Sequence, residues 1–167
     1  DNVGVTPLHC ALKRGQLQTY SAIKGQVEDM NPRDGDSWTP LHYAALGGNV
    51  LMCELIIRNT SEKNPSDTNG ETPLHMAALQ GHFYVYKHIM DHVEDKNPKD
   101  INDWPPLHLA ASNGFGKICE LIIANVKDKN PIGTWNGDMT SARECWIETE
   151  SNVVGTLELE RILQLFV

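Results

Sequence analysis

An all-α solenoid of stacked helix pairs, with projecting β-turn or hairpin tips along one edge, is the fold class this sequence predicts. Three observations predict it. Thr6-Pro7-Leu8-His9 returns as Thr39-Pro40-Leu41-His42, as Thr72-Pro73-Leu74-His75 and as Pro105-Pro106-Leu107-His108, at one constant interval without drift. Apolar residues after each copy recur at three and four, the helical period, and not at two, the strand period. The pairs Asn31-Pro32, Asn64-Pro65, Asn97-Pro98 and Asn130-Pro131 repeat at the same interval. A fixed period means that equal short modules bury their apolar faces on one another.

The expected units are 1–33, 34–66, 67–99 and 100–132, followed by a degenerate capping unit over 133–167, all in one domain, 1–167. The third unit shows the pattern most completely. Asp67-Thr68-Asn69-Gly70 is a turn signal. Thr72 stands where a helix N-cap belongs and Pro73 at the first helical position, where its missing N–H costs nothing. Leu74, Ala77 and Ala78 follow at helical spacing, and Gly81 ends this first helix. A second helix over about 83–92 buries Val85, Ile89 and Tyr86. Isolated helices shorter than about 12–15 residues are marginal, so stacking must supply the missing stability. Proline pushes the residue before it out of helical angles, so each Asn-Pro linker sends the next turn outward.

The phrase Asp-x-x-Gly-x-Thr-Pro-Leu-His-x-Ala-Ala-x-x-Gly, nearly intact from Asp67 to Gly81, resembles the ankyrin repeat family over residues 1 to about 131. The resemblance implies turns and antiparallel helix pairs stacked into a curved solenoid. Departures are local. Ser37 and Asp103 replace the turn glycine, which predicts a different tip geometry there, and Pro105 replaces a capping Thr. Ala22 and Gly25 weaken the second helix of the first unit, making it the softer end. After Pro131 the expected register slips by two, with Thr140 in the Thr position, and Leu157 to Val167 reads as a final amphipathic helix with Leu159, Ile162, Leu163 and Phe166 apolar.

Charge and cysteine usage exclude several functions. Lys and Arg number 14 against 22 Asp and Glu, a formal charge of −8 that opposes a pull toward nucleic acid or anionic lipid. Cys53 and Cys119 share a register two units apart, about 20 Å if stacked helices lie about 10 Å apart, too far for a disulfide. Four free thiols, no secretory leader and no apolar run long enough to cross a bilayer point to an intracellular, cytoplasmic monomer. The Asp1 start reads as a cut from a longer array.

No reactive cluster stands out. His9, His42, His75 and His108 sit one layer apart, whereas a metal gathers its ligands around one point. Each ring is expected to bond neighbouring backbone and the capping Thr, the role that the resemblance also implies. Asp34-Gly35-Asp36 lacks the distant bidentate Glu of a calcium loop and reads as an acidic turn. Gly-rich phosphate loops, Gly-x-Ser-x-Gly elbows and His-Glu-x-x-His patterns are absent. No enzyme activity and no cofactor are expected.

The family resemblance places a protein partner on the concave face formed by the turn tips and the open side of the first helices. By position in the repeat this face carries Asp36, Trp38, Tyr43, Glu71, Met76, Asn102, Trp104 and Leu109. Aromatic residues and Met at such positions match the composition of binding hot spots. Two readings compete for the tryptophans, display to a partner and packing that stiffens the turn row. For the segment as a whole the leading reading is a binding scaffold and the alternative is a structural spacer in a longer array.

Overall fold

The computed structural model describes residues 4–135, 138–150 and 163–166. Among them, helices pair as α1 (Pro7–Lys13) with α2 (Leu17–Lys24), α3 (Pro40–Leu46) with α4 (Val50–Asn59), α5 (Pro73–Leu79) with α6 (Phe83–Met90), and α7 (Pro106–Ser112) with α8 (Gly116–Ile123). The antiparallel strands β1 (Ile132–Trp135) and β2 (Asp138–Ser141) follow, then α9 (Ala142–Glu150) and a 3-10 turn at Gln164–Phe166. The chain is an ankyrin-repeat solenoid in which α1, α3, α5, α7 and α9 pack in series.

Small and large residues divide the packing between them. Ala44, Ala45, Ala77, Ala78, Ala110 and Ala111 are buried and let the first helices approach, while Leu41, Leu74, Leu107, Ile56, Ile89 and Ile122 fill the space between. Burying each such Leu or Ile contributes about 1.5–3 kcal/mol. One approach is closer still. A Cβ on Gly47 would stand 2.0 Å from the Lys13 carbonyl oxygen, so any larger residue forces the first two layers apart. The remaining second helices, α4, α6 and α8, also pack in series, whereas α2 rests on α1 and buries only Tyr20. Ala22 is exposed on it. The first layer is thus thinly packed, as its sequence suggests.

Two expectations need correction. Ser37 and Asp103 take φ of 65° and 60°, the left-handed conformation that Gly4 and Gly70 hold at 73° and 76°. The turn geometry is therefore kept and the two side chains carry the backbone strain, because turn-to-turn hydrogen bonds dictate the path. The slip after Pro131 is by three, not two. Ser141 is the cap of α9, with Glu144 in the place of the usual His: the Glu144 amide donates to Ser141 Oγ at 3.2 Å, and the Ser141 amide donates to Glu144 Oε2 at 2.7 Å. This is a capping box built from different residues. Of the expected final helix, residues 157–162 and 167 lie outside the described residues; within the rest, Gln164–Phe166 is a 3-10 turn against α8 with Phe166 buried.

Candidate functional site

The turn row is built on three aspartates that share one position in successive repeats. Asp34 Oδ1 accepts the amides of Asp36 and Trp38 at 3.0 and 2.8 Å, Asp67 Oδ1 those of Asn69 and Glu71 at 2.8 Å each, and Asp100 Oδ1 those of Asn102 and Trp104 at 2.8 and 2.7 Å. Short polar side chains that bond the backbone two and four residues on are what a tight turn favours. Neighbouring turns join by one main-chain bond per junction: Thr68 to Asp36 at 3.1 Å, Ile101 to Asn69 at 3.0 Å and Thr134 to Asn102 at 2.9 Å. The floor under any partner is therefore rigid and regular.

Behind the turns, histidines clamp layer to layer. The Thr39 amide donates to His42 Nδ1 at 3.1 Å, with Thr39 Oγ1 3.0 Å from the same nitrogen, and the Thr72 amide treats His75 likewise at 3.0 Å. With Nδ1 accepting, Nε2 carries the proton and donates to the next layer: His42 to Glu71 O at 3.1 Å, His75 to Trp104 O at 3.0 Å. His9 reaches Pro32 O and His108 reaches Thr140 O. At His108 the first half of the clamp is missing, because Pro105 has neither N–H nor hydroxyl, and Nδ1 is buried with no hydrogen bond. Burial drives all four rings toward the neutral form, His42 to about 4 despite its bond to Glu71.

A second set of cross-layer caps comes from linker asparagines, which sequence reading treated only as part of a bend. Asn97 Oδ1 accepts the amide of Leu107 at 3.2 Å and Asn130 Oδ1 that of Arg143 at 3.0 Å. Both amides lie in the first turn of the following first helix, where N–H groups have no intrahelical partner. The return of Asn at one fixed place in every linker was the available signal.

The structure sorts the eight candidate residues. Asp36 and Asn102 are exposed at turn tips, and Trp38, Tyr43, Glu71 and Leu109 are half-buried. Trp38 stacks on His42 with centroids 5.7 Å apart, meets Tyr43 edge-on at 5.4 Å, and donates Nε1 to Asp67 Oδ2 at 2.9 Å. Tyr43 donates its hydroxyl to Asp34 Oδ2 at 2.6 Å and lies 4.7 Å from the His9 ring. These contacts join Trp38 and Tyr43 in one strip across the second and third layers, and main-chain bonds place Asp36 on the Asp34 turn and Glu71 on the Asp67 turn and the His42 ring beside them.

Met76 and Trp104 do not stand open. The expectation that position 76 faces away from the stack is corrected: Met76 is 1% exposed and belongs to the buried core between α3 and α7, where an unbranched thioether adapts to the space left between layers. Trp104 is 8% exposed, lies over His108 at 5.0 Å, and sits so close to Gly133 that a Cβ there would come within 2.2 Å of it. For this tryptophan the packing reading holds.

The electrostatics of the strip are lopsided. Burial opposes ionisation of Asp34, but the hydrogen bonds from Tyr43 and from the Trp38 and Asp36 amides outweigh it and hold its carboxyl low. Burial, then the charges of Asp67 and Asp100, push the Glu71 carboxyl up. Tyr43 is held neutral by burial and by its bond to Asp34. Arg33 and Lys99 are occupied, the first by Ser37 O, Ser66 O and Glu62, the second by Asp103 at 3.3 Å.

Reactive chemistry finds no foothold among the described residues. No group of three or more His, Cys, Asp or Glu there could hold a metal ion. All four cysteines are free thiols, Cys10 exposed and the others buried. Burial pushes the Cys53 thiol up to about 12 and raises Cys119 as well, the opposite of an activated nucleophile. No helix among the described residues is long and apolar enough to cross a membrane.

With fold and site laid out, comparison with known families agrees. The family model for ankyrin repeats (3 copies) matches residues 1–67, 20–100 and 48–132, and the chain belongs to that family. Among curated proteins none matches it. Ankyrin repeats are non-catalytic modules that generally mediate protein–protein interaction, and this segment is one of them.

Proposed function

We propose that the segment is a scaffold that binds a protein partner on its concave face, chiefly through Trp38 and Tyr43, with Asp36 and Glu71 at their sides. The observation that carries this reading is the half-open aromatic pair on a floor fixed by turn-to-turn hydrogen bonds. Rigid, partly exposed Trp and Tyr rings lose little entropy on binding and recur at interface hot spots. The chain acts as a monomer in this reading.

Chemical cross-linking to proteins of a native lysate, run beside Trp38→Ala and Tyr43→Ala, tests it. Loss of the same captured species from both variants is expected, with an anchor Trp costing about 2 kcal/mol or more. An unchanged set of captured species would favour the alternative, a spacer whose tryptophans serve only to stiffen the turn row. One observation does favour the spacer for the fourth layer, where Trp104 is packed away.

A further inference from the structure

Six carboxylates line the turn row, from Asp34 and Asp36 through Asp67 and Glu71 to Asp100 and Asp103. Three of them are consumed by their own turns, since Asp34, Asp67 and Asp100 each hold two backbone amides. Asp103 is paired with Lys99. That leaves Asp36 and Glu71, whose carboxylates receive no hydrogen bond or ion pair among the described residues. They differ in kind. Asp36 is exposed and hydrated, while Glu71 is half-buried and crowded by Asp67 and Asp100. Covering Glu71 with an apolar or acidic surface would strip its remaining water and give nothing back. The nearby cations cannot help, because Arg33 is bound to two carbonyls and Glu62.

Resting on the concave-face reading above, we propose that the occupant is a basic, extended segment of the partner protein, its Lys or Arg side chains paired with Asp36 and Glu71 and lying along the Trp38 and Tyr43 rings. Charge complementarity selects the sign, since a strip with two unpaired carboxylates, whose nearby cations Arg33 and Lys99 are already bound, repels acidic peptides, anionic lipid and nucleic acid. The aromatic ledge fits the same cations, which bind ring faces. Spacing selects an extended chain. Successive layers lie about 10 Å apart and an extended chain of the polyproline II type advances about 3.1 Å per residue with about three residues per turn, so basic residues three apart share a face and meet successive layers.

Selection of random ten-residue displayed peptides on the full chain tests the proposal, with capture of the winners then compared across variants. Enrichment of Lys or Arg three apart is expected, with capture falling about 3- to 10-fold in Glu71→Gln, more in Glu71→Lys, and weakening as salt rises. Glu71→Gln also removes a crowded charge, so its thermal midpoint should not fall, and lost capture cannot be read as lost folding. Winners that need Trp38 and Tyr43 but lack basic residues, or that bind Glu71→Lys unchanged, would overturn the charge assignment and leave the concave-face reading standing. No winners, or winners indifferent to Trp38 and Tyr43, would overturn both.

Discussion

Helices α5 and α7 begin with almost the same words, Pro-Leu-His-x-Ala-Ala, yet one follows Thr72 and the other Pro105. At His75 the ring is held from behind by the Thr72 amide and reaches forward to Trp104 O. At His108 only the forward bond, to Thr140 O at 3.0 Å, remains. The Thr thus caps its own helix and fixes the ring, while the ring ties one layer to the next, and the second task survives without the first. Part of the missing capping returns from elsewhere, since Asn97 takes the Leu107 amide.

Four substitutions and one titration test the contrast between these helices. His75→Ala removes both bonds of a complete clamp and opens a cavity, an expected loss of about 3 kcal/mol in urea unfolding. His108→Ala should cost about 1 kcal/mol less, because it also deletes a buried nitrogen that has no partner. Acid probes the clamp without mutation. His42 titrates near 4 in the fold and near 6.5 unfolded, so its contribution is complete above about 6.5 and is lost as pH falls toward 4, about 3 kcal/mol from this group. Unfolding midpoints measured from pH 7.5 to 4 should decline across that window, and a flat profile would contradict the burial of a neutral ring.

Restoring the missing half is a smaller effect of opposite sign. Pro105→Thr should stabilise by about 1 kcal/mol by giving His108 Nδ1 a donor. The turns offer the last contrast, strained at Ser37 and Asp103 and unstrained at Gly4 and Gly70. Ser37→Gly should gain about 0.5 kcal/mol, the relief of a left-handed backbone less the added freedom of glycine in the unfolded chain. A loss at Ser37→Gly would mean that the side chain does more for the turn than its backbone angle costs.

Much of the scaffold was legible because its causes are local and periodic. Thr, Pro, Leu, His and the alanine pairs each act within one helix or on the adjoining repeat, so repetition exposed their roles. What escaped depended on neighbours that repetition hides. Ser37 and Asp103 keep the glycine conformation because adjoining turns impose it. Met76 is buried in the core although its place in the repeat predicts an open site, and Trp104 packs closely against Gly133 in the hairpin that follows the fourth helix pair. Within the candidate face, position in the repeat found Trp38 and Tyr43. Nothing in the sequence showed that Arg33 would be consumed by carbonyls and leave Glu71 without a cation.

The layers are joined by histidines that are neutral structural clamps, each with its proton on Nε2. Long-range proton–nitrogen correlation spectra of the imidazole rings report that state directly. His9, His42 and His75 should each appear at pH 8 as a single Nε2–H tautomer with Nδ1 shifted as an acceptor, and His42 should stay so down to pH 6. Rings that average between tautomers, or that gain a proton near 6.5 in the folded chain, would contradict it.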